Sequence, residues 1–480
     1  MNTDLQQLLD HPAVKAVSAA AAAIDIPCYA VGGCVRDALL HRHSKDIDFV
    51  CVGPGSGLAV AKQLRASTRR ASTVHIYSGF GTAQVKLQGL ELEFVGARRE
   101  SYSRDSRKPI VEDGTLADDL SRRDFTINAL ALSVNAQAGE PQLIDLFGGV
   151  DDLHRGIIRT PLDPDITYSD DPLRMLRAIR FATQLDFTIE EESLKAIARN
   201  ADRISIISRE RITSELNKIM LSPRPSIGWW LLADTGLLRH FLPELVALQG
   251  VETMHGRGHK DNFDHTMLVL DRVAQAEPDK LWLHWAALLH DIAKPATKRW
   301  DDQAGWTFKN HDFVGSKMVA RIFRNLKMPL GEPMKYVQKI VRLHMRPIAL
   351  VEDTVTDSAI RRLVTDSEGD LDDLMTLCRA DITSRNPEKV KRHLANFENV
   401  IEKINDVADR DNLRNFQPPV DGAEIMATFG LTPSPIVGEL KSALKEAVLE
   451  GIIPNEHDAA RQYMLQPVAE KGLTPVEQIG

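Results

Sequence analysis

The chain has 480 residues, of which 43% are hydrophobic and 26% are charged, and its formal net charge is −8. A chain of this length exceeds the size of one hydrophobic core, so we expect two to four folded domains. The composition is that of an ordinary folded protein, and the negative charge argues against a protein coated in basic surface for nucleic acid.

The amino-terminal region carries the most apolar early stretch, Val17–Ile26, an alanine-rich run broken by Asp25. It is much shorter than the ~20 apolar residues of a membrane span, and it lacks the basic front and cleavage pattern of a secretion signal. The four cysteines show no paired spacing, which predicts neither a disulfide framework nor a zinc knuckle. We therefore expect a cytoplasmic protein with no membrane segment.

The fold class predicted along the chain is multidomain α+β. Residues 1–26 predict one or two helices, and from Tyr29 to about Asn135 short β-type runs alternate with glycines and helical stretches. After Arg174 helical periodicity dominates. These patterns predict an α/β head with a mixed sheet and helices (1–150), then an all-helical neck (151–250), a helical metal domain (251–390) and a helical tail (391–480).

The first candidate site begins with the alternating segment Lys45–Val50. On a strand, Asp46 and Asp48 project from one face while Ile47 and Phe49 enter the core. Two carboxylates at one strand edge repel each other unless a cation lies between them, and such hard oxygen ligands suit Mg²⁺. A plain solvent-facing strand can carry the same pattern, so the interpretation depends on its neighbours.

Those neighbours lie on both sides of the twin aspartates. Upstream, Gly32 and Gly33 stand at a predicted strand-to-helix turn, where their backbone N–H groups can approach an anion and Arg36 adds positive charge. Downstream, Leu90–Val95 is another alternating strand, so either Glu91 or Glu93 could complete a three-carboxylate site. We favour Glu93, because two arginines follow it at the expected strand end.

Three motifs together carry a family resemblance: Gly-Gly-x-x-Arg-Asp, Asp-x-Asp, and the string Arg122–Ala129, RRDFTINA. They resemble the nucleotidyltransferase superfamily and, more narrowly, the class II CCA-adding enzymes and bacterial poly(A) polymerases. The roles implied by the resemblance are metal ligation by Asp46 and Asp48, triphosphate contact by Gly32, Gly33 and Arg36, and contact with the incoming ribose and phosphates by Arg123, Asp124 and Asn128. The residue chemistry agrees, because arginines neutralise phosphate and Asp or Asn can bind ribose hydroxyls.

The next segment, Ser169–Phe181, predicts a helix with Pro172 in its first turn and Asp171, Arg174 and Arg177 near one face. The carboxylate of an Asp–Arg pair can accept a hydrogen bond from the amino group of cytosine or adenine. UTP and GTP present a carbonyl to that carboxylate instead. A simple intrahelical salt bridge, worth only ~0.3–0.5 kcal/mol, is the plainer interpretation of the pair alone. With the upstream motifs, the segment resembles the Glu-Asp-x-x-Arg template of class II CCA-adding enzymes, with Asp170 in place of the usual Glu.

A second set of candidate metal ligands lies between residues 255 and 385, and consists of His265, His290, Asp291, His311, His344 and Asp381. Any one of these histidines alone is more often a surface or core residue, but an adjacent His-Asp pair can clasp one metal. The order His…His-Asp…Asp resembles the HD phosphohydrolase superfamily, and His311 with His344 fits its expanded, dinuclear version. Imidazole plus carboxylate suits Mn, Fe, Co, Ni or Zn. His255, His259 and Lys260 could line its substrate pocket or belong to a polar loop.

The sequence as a whole predicts an enzyme that adds or repairs the 3′-terminal CCA of tRNA from CTP and ATP. Mg²⁺ would serve the head, and a transition metal would serve the second site, which could be an active phosphoesterase or a metal-bearing scaffold. The segment Arg174–Lys218 has nine basic and seven acidic residues, which permits RNA binding without predicting it.

Two alternatives stay open. One is a poly(A) polymerase, or an enzyme that adds only CC or only A, since Asp171 and Arg174 accept both nucleotides. The segment Ser101–Asp113 could decide between these by reshaping the pocket between the C and A steps. The other alternative is an HD phosphohydrolase with a head that only binds nucleotides, and the intact acidic and basic motifs of the head argue against it.

Overall fold

The computed structural model describes residues 3–77, 81–103, 106–135, 141–254, 257–258, 261–352, 356–383, 386–410, 419–465 and 475–476. The chain divides into two compact units, residues 1–243 and 244–480. Within the described residues, no helix has the length and apolar character needed to cross a membrane. All four cysteines are buried, and none of them forms a disulfide.

A seven-stranded sheet with two flanking strands forms the centre of the first unit. The strands of this region are β1 (Cys28–Val31), β2 (Asp46–Cys51), β3 (His75–Tyr77), β4 (Thr82–Leu87), β5 (Leu90–Gly96), β6 (Arg98–Ser103), β7 (Ser106–Asp113), β8 (Leu130–Ser133) and β9 (Leu143–Asp145). The main sheet has the order β3-β4-β5-β2-β1-β8-β9, while β6 and β7 form a separate antiparallel pair. Within the main sheet β2 and β5 are parallel and the other neighbours are antiparallel, so the predicted mixed sheet is confirmed.

The period-two pattern of β2 explains how this strand is placed. Ile47 and Phe49 are fully buried, and the ring of Phe49 stacks on that of Phe94 in β5 with centroids 5.2 Å apart. Asp46 and Asp48 point to the opposite, accessible side. A strand with one apolar face and two acids on the other can occupy only one register against a packed core.

Helices pack on the sheet, and after β9 the first unit is mainly helical. They are α1 (Thr3–Asp10), α2 (Pro12–Ala23), α3 (Gly33–Leu39), α4 (Ser56–Ser67), α5 (Leu116–Ser121), α6 (Gly149–Arg155), α7 (Pro164–Asp170), α8 (Leu173–Leu185), α9 (Glu191–Asn200), α10 (Arg209–Met220) and α11 (Ser226–Asp234). The first two confirm the helices predicted before residue 26. A short parallel pair, β10 (Ile157–Ile158) and β11 (Thr188–Ile189), flanks α8.

Helix α8 is the central helix of the region after the sheet. One side of it is packed against the core, since Leu173, Leu176 and Ile179 are all buried. It packs against α10 and α11, and the buried ion pair between Arg180 Nε and Glu215 Oε2, 2.6 Å long, joins it to α10. The ion pair therefore helps to hold α8 in place against α10.

The second unit is mainly helical. Its elements are α12 (Pro243–Val246), which spans the division, then β12 (Thr253–Met254), β13 (Arg257–Gly258), α13 (Asn262–Ala276), α14 (Leu281–Leu289), α15 (Lys294–Thr297), β14 (Arg299–Asp301), β15 (Gly305–Thr307), α16 (His311–Asn325), α17 (Glu332–Leu343), α18 (Met345–Glu352), α19 (Asp357–Ser367), α20 (Leu371–Asp381), α21 (Pro387–Arg410), α22 (Gly422–Phe429), α23 (Pro435–Leu449) and α24 (His457–Leu465). The sequence did not predict its two hairpins, because strands of two or three residues are too short to show periodicity.

Candidate active site and metal centre

The first candidate site lies along the paired edges of β2 and β5. The parallel register places Asp46 opposite Glu91 and Asp48 opposite Glu93. Desolvation raises the pKa of Asp48, Asp46 raises it further, and Arg123 partly offsets both effects. Desolvation also raises the pKa of Glu93, and the negative charges of Asp48 and Asp46 raise it further. The carboxylates of Asp46, Asp48 and Glu93 form a set of oxygen ligands that suits a divalent cation.

The two glutamates of β5 differ in their partners. Glu91 accepts a hydrogen bond from Gln84 Nε2 and forms an ion pair with Lys86, so its charge is already matched. Glu93 lies beside Asp48, and the negative charges of Asp48 and Asp46 add to the effect of burial in raising its pKa. The structure therefore places Glu93, the residue favoured from the sequence, at the acidic edge.

The glycine turn before α3 lies against the arginine string. Gly32 has φ of +74°, and a Cβ atom there would lie 2.9 Å from Nη1 of Arg123. Glycine is thus required both by the backbone angle and by the close approach of a guanidinium. Gly33 begins α3, and Arg36 follows one turn later, where its Nη1 donates to Oδ1 of Asn128 at 2.7 Å.

A buried carboxylate that the sequence analysis missed holds the two adjacent arginines. Asp119 is fully buried in α5, and it accepts hydrogen bonds from both Arg122 and Arg123, with Nη2 of Arg123 at 3.1 Å. Positions three and four residues apart face each other on a helix, so this spacing was the available signal. Thr115 caps α5 through a capping box with Asp118, which fixes the helix that carries Asp119.

Asp124 is the centre of a second polar network. Its Oδ1 accepts from Asn128 Nδ2 at 3.0 Å, and its Oδ2 accepts from Arg177 Nε at 2.7 Å. Burial alone would raise the pKa of Asp124, but Arg177 and Asn128 lower it to about 2. From the sequence, Arg177 was expected beside the base-contacting pair Asp171 and Arg174, but its guanidinium instead contacts Asp124.

Arg174 lies in the first turn of α8, whereas Asp171 lies just before it, between α7 and α8. The helix predicted across Ser169–Phe181 is therefore interrupted, because α7 ends at Asp170 and α8 begins at Leu173. The Asp171 carboxylate accepts from the backbone N–H of Leu173 at 3.2 Å, while Nη2 of Arg174 donates to the carbonyl oxygen of Arg122 at 2.6 Å. In the described part of the chain no ion pair joins the two side chains to each other. The intrahelical salt bridge considered from sequence is therefore absent among these residues, and both charged groups keep unused hydrogen-bonding capacity.

The second candidate site brings all six predicted ligands together in the second unit. Ligand atoms of His265, His290 and Asp381 lie within 4.8 Å of one another, and so do those of Asp291, His311 and His344. Asp291 faces both groups, with Oδ2 3.2 Å from His290 Nε2 and Oδ1 3.4 Å from His311 Nε2. A carboxylate that presents one oxygen to each of two ligand groups has the arrangement of a bridging metal ligand.

The ring orientations of the histidines also fit metal binding. The Nδ1 atoms of His290, His311 and His344 each lie 2.7 Å from a backbone carbonyl oxygen three residues earlier. A carbonyl oxygen only accepts, so Nδ1 carries the proton and Nε2 is left with its lone pair. The buried Nε2 of His290 points towards the carboxylates of Asp291 and Asp381, at 3.2 and 3.8 Å. Burial and His290 lower the pKa of His344 to about 4, which keeps its ring in the neutral state that binds metals.

A cavity of about 710 Å³ opens beside this cluster. Basic side chains and apolar side chains line it together, among them Lys294, Lys309, Phe308 and Met345. Lys294, which the sequence analysis did not single out, lies 2.6 Å from Asp291 and follows it by three residues. The other proposed pocket residues, His255, His259 and Lys260, lie outside the described part of the chain.

Comparison with known families matches three consecutive parts of the chain. Residues 28–159 match the Poly A polymerase head domain, residues 186–248 match the probable RNA and SrmB-binding site of polymerase A, and residues 262–386 match the HD domain. The acidic residues of β2 and β5, the glycine turn and the arginine string fall inside the first match, and the six candidate ligands of the second site fall inside the third. Asp171, Arg174 and Arg177 lie between the first two matches. Nucleotidyltransferase and HD domains are generally metal-dependent, and the histidine cluster supplies candidate metal ligands.

Relatives of similar length match most of the chain. The A-adding tRNA nucleotidyltransferase of Deinococcus radiodurans is 34% identical over 438 residues, which cover 89% of this chain and 93% of the relative. The CC-adding tRNA nucleotidyltransferase of Thermus thermophilus is 31% identical, with coverage of 92% and 95%. The CCA-adding enzyme of Bacillus stearothermophilus in complex with CTP shares the fold, with a TM-score of 0.65, 22% identity and coverage of 98% and 99%. The chain belongs to the tRNA nucleotidyltransferase family.

Proposed function

We propose that this protein completes or repairs the 3′-terminal CCA of tRNA, using CTP and ATP. The observation that carries the proposal is the register of β2 and β5, which gathers Asp46, Asp48 and Glu93 at one edge beside the Arg123 guanidinium. The names of the full-length relatives support the same reaction class. We assign the head to residues 1–150 and a template- and tRNA-binding neck to residues 151–250 of a cytoplasmic enzyme.

In this proposal Asp46, Asp48 and Glu93 hold Mg²⁺, which when bound lowers the pKa of the tRNA 3′-hydroxyl and stabilises the leaving pyrophosphate. The Gly32 turn brings backbone N–H groups close to the triphosphate, and Arg123 adds positive charge there. Asp119 keeps that guanidinium in place. The remaining hydrogen-bonding capacity of Asp124 and Asn128 serves the incoming ribose, while Arg36 faces the phosphates.

Base selection falls to Asp171 and Arg174. The carboxylate accepts the amino group of cytosine or adenine, and the guanidinium donates to the neighbouring ring nitrogen. UTP and GTP would place a carbonyl oxygen against the Asp171 carboxylate, and two facing acceptors lose the hydrogen bond and leave a charge unpaired. Discrimination of this kind can be large, because the penalty falls on a desolvated charged group.

For the second unit we propose a dinuclear transition-metal site that hydrolyses phosphoesters. His265, His290 and Asp381 would hold one ion, His311 and His344 the other, and Asp291 both. Such ions, when bound, supply a hydroxide nucleophile at neutral pH. The roles of this chain's own residues are to fix the ring nitrogens through backbone carbonyls and to bring Lys294 and Lys309 towards an anionic substrate.

The deciding experiment uses tRNA transcripts that end before C74, after C75 and after A76, incubated with Mg²⁺ and each labelled nucleoside triphosphate alone, then with CTP and ATP together. Growth of the shortest transcript by C, C and A, followed by a stop, is the expected result. Asp46→Asn should abolish incorporation, whereas His457→Asn, on the exposed surface of the second unit, should leave it unchanged.

A second candidate function is favoured by one observation, the 34% identity to an enzyme named for A addition. Incorporation of A only into the transcript that ends after C75 would assign the chain to that half-reaction. Long untemplated A tracts would assign it to a poly(A) polymerase. Absence of any incorporation, together with phosphate release under Mn²⁺, Co²⁺ or Ni²⁺, would overturn the proposal and leave only the activity of the second unit.

A further inference from the structure

Phe181 in α8 lies among three arginines. Its ring centroid is 3.9 Å from Cζ of Arg180, 4.9 Å from Cζ of Arg36 and 5.5 Å from Cζ of Arg177. The ring is 7% exposed, so these cation–π contacts are largely shielded from water. Cation–π contacts are strongest when they are shielded in this way. Three guanidinium groups around one buried side chain would repel one another unless each were separately neutralised.

Each arginine has its own carboxylate, and each carboxylate lies in a different place. Arg36 pairs with Asp37 in α3, Arg177 with Asp124 in the arginine string, and Arg180 with Glu215 in α10. The phenyl ring thus keeps three ion pairs apart while it contacts all three cations. It also packs edge-on against Phe125, with centroids 5.8 Å apart.

These contacts connect the glycine turn to the start of α8. Arg36 donates to Asn128, Asn128 donates to Asp124, and Arg177 donates to the other oxygen of Asp124. Phe181 closes this chain of hydrogen bonds, because its ring contacts the first and last members. Along α8, Arg174, Arg177 and Phe181 follow at spacings of three and four, so one face of the helix carries every contact described here with the head.

We infer that Phe181 is a positioning residue for base selection. It sets the distance and rotation of α8 relative to the phosphate-binding turn, and so places Asp171 and Arg174 where a base can meet them. Polar contacts at Arg174 and Arg177 fix the helix at two points, and the rigid ring at Phe181 fixes the third. The inference rests on the proposed function of the head, since it assigns Phe181 to the fidelity of that same reaction.

The test replaces the ring while keeping much of the volume. Phe181→Met and Phe181→Leu remove the π face, and Phe181→Tyr retains it. Phe187→Met is the matched control, because this half-buried phenylalanine packs near Gly156 and has no contact with the three arginines in the described structure. For each variant the ratio of kcat/KM for the correct nucleotide to that for UTP or GTP is measured on the transcript that wild-type enzyme extends, together with the melting temperature.

We expect the Met and Leu variants to lose discrimination by about tenfold, and the Tyr variant to keep the wild-type ratio. The Phe187 control should lower the melting temperature without changing the ratio. Unchanged discrimination in a folded Met or Leu variant would overturn the inference. A purely structural role of Phe181 would lower stability and activity without changing the discrimination ratio. Loss of discrimination in the Tyr variant equal to that in the Met variant would overturn it as well.

Equilibrium binding of ATP and GTP to wild-type and variant proteins gives a second readout that needs no turnover. The ATP-to-GTP affinity ratio should fall in the Met variant by a similar factor, and an unchanged ratio counts against the inference. If wild-type enzyme extends no transcript, the proposed function fails, while the binding ratio still tests the role of Phe181. If the Met and Leu variants do not fold, an altered ratio in the folded Tyr variant overturns the inference, and a wild-type ratio supports it.

Discussion

Glu91 and Glu93 stand two residues apart on the same strand face, and among the described residues only Glu91 forms an ion pair. Because Glu91 is paired with Lys86 and Gln84 while Glu93 lies beside Asp48, we expect Glu93→Gln to lower kcat by about 10²-fold or more. Glu91→Gln is the matched control and should change kcat by no more than about threefold. Single-turnover extension of a tRNA transcript at saturating Mg²⁺ measures both, and equal losses would remove Glu93 from the site.

The depressed pKa of Asp124 predicts a dependence of stability on pH. Its pKa is about 2 in the folded protein against an ordinary value of 3.8, so its ionisation adds stability that is fully present above about pH 4 and is lost as the pH falls towards 2. Two pKa units correspond to about 2–3 kcal/mol. Asp124→Asn should cost the first unit roughly this free energy of unfolding at pH 7, and the difference from wild type should shrink on acidification.

Urea unfolding at several pH values measures this effect. Asp165→Asn is a suitable comparison, because the exposed ion pair of Asp165 with Arg199 is worth less than about 1 kcal/mol. A difference between wild type and Asp124→Asn that stays constant from pH 7 to pH 2 would show that the Asp124 charge does not stabilise the fold.

Helix α5 links secondary structure to the site, because it ends immediately before the arginine string and carries Asp119. Its capping box predicts that Thr115→Ala costs about 1 kcal/mol of stability in the first unit, and that Thr115→Ser costs only a few tenths. Thr356→Ala removes the corresponding cap of α19 and should destabilise the second unit instead. Unfolding followed by separate probes in each unit distinguishes the two outcomes.

Several elements of the fold could be predicted from sequence because their signals are local. The period of two placed Asp46 and Asp48 on a strand, and the Ser169–Phe181 pattern predicted the start of α8. The partners of Arg177 and Phe181 could not be predicted, since each contact joins elements that only the tertiary structure brings together. Register between β2 and β5 likewise depends on the whole sheet, so the sequence alone left Glu91 and Glu93 as alternatives.

At the scale of the whole molecule, the two candidate metal sites lie in separate compact units with different ligands. Carboxylates of the first unit favour Mg²⁺, whereas the imidazoles of the second favour a transition metal. Asp291→Ala should therefore lower transition-metal affinity by at least ~100-fold and leave Mg²⁺-dependent nucleotide addition within about twofold.

Two kinds of measurement test whether the two sites work independently: the metal content after dialysis, and the two activity assays. Restoring Mg²⁺ alone after treatment with a chelator should recover nucleotide addition without phosphoester hydrolysis. A parallel loss of both activities in Asp291→Ala would indicate that the units do not work independently, and His457→Asn serves as the control for a surface histidine.

The parallel pairing of β2 with β5 also has a consequence for how the enzyme is made. Asp48 and Glu93 are about 45 residues apart in the chain, with α4, β3 and β4 between them, so the pairing of β2 with β5 is a non-local contact. Closing such a loop is slow, whereas helices such as those of the neck form from local contacts. During refolding we expect helical signal to return early and Mg²⁺ binding to return late, so that a chain becomes catalytically competent only at the end of its folding.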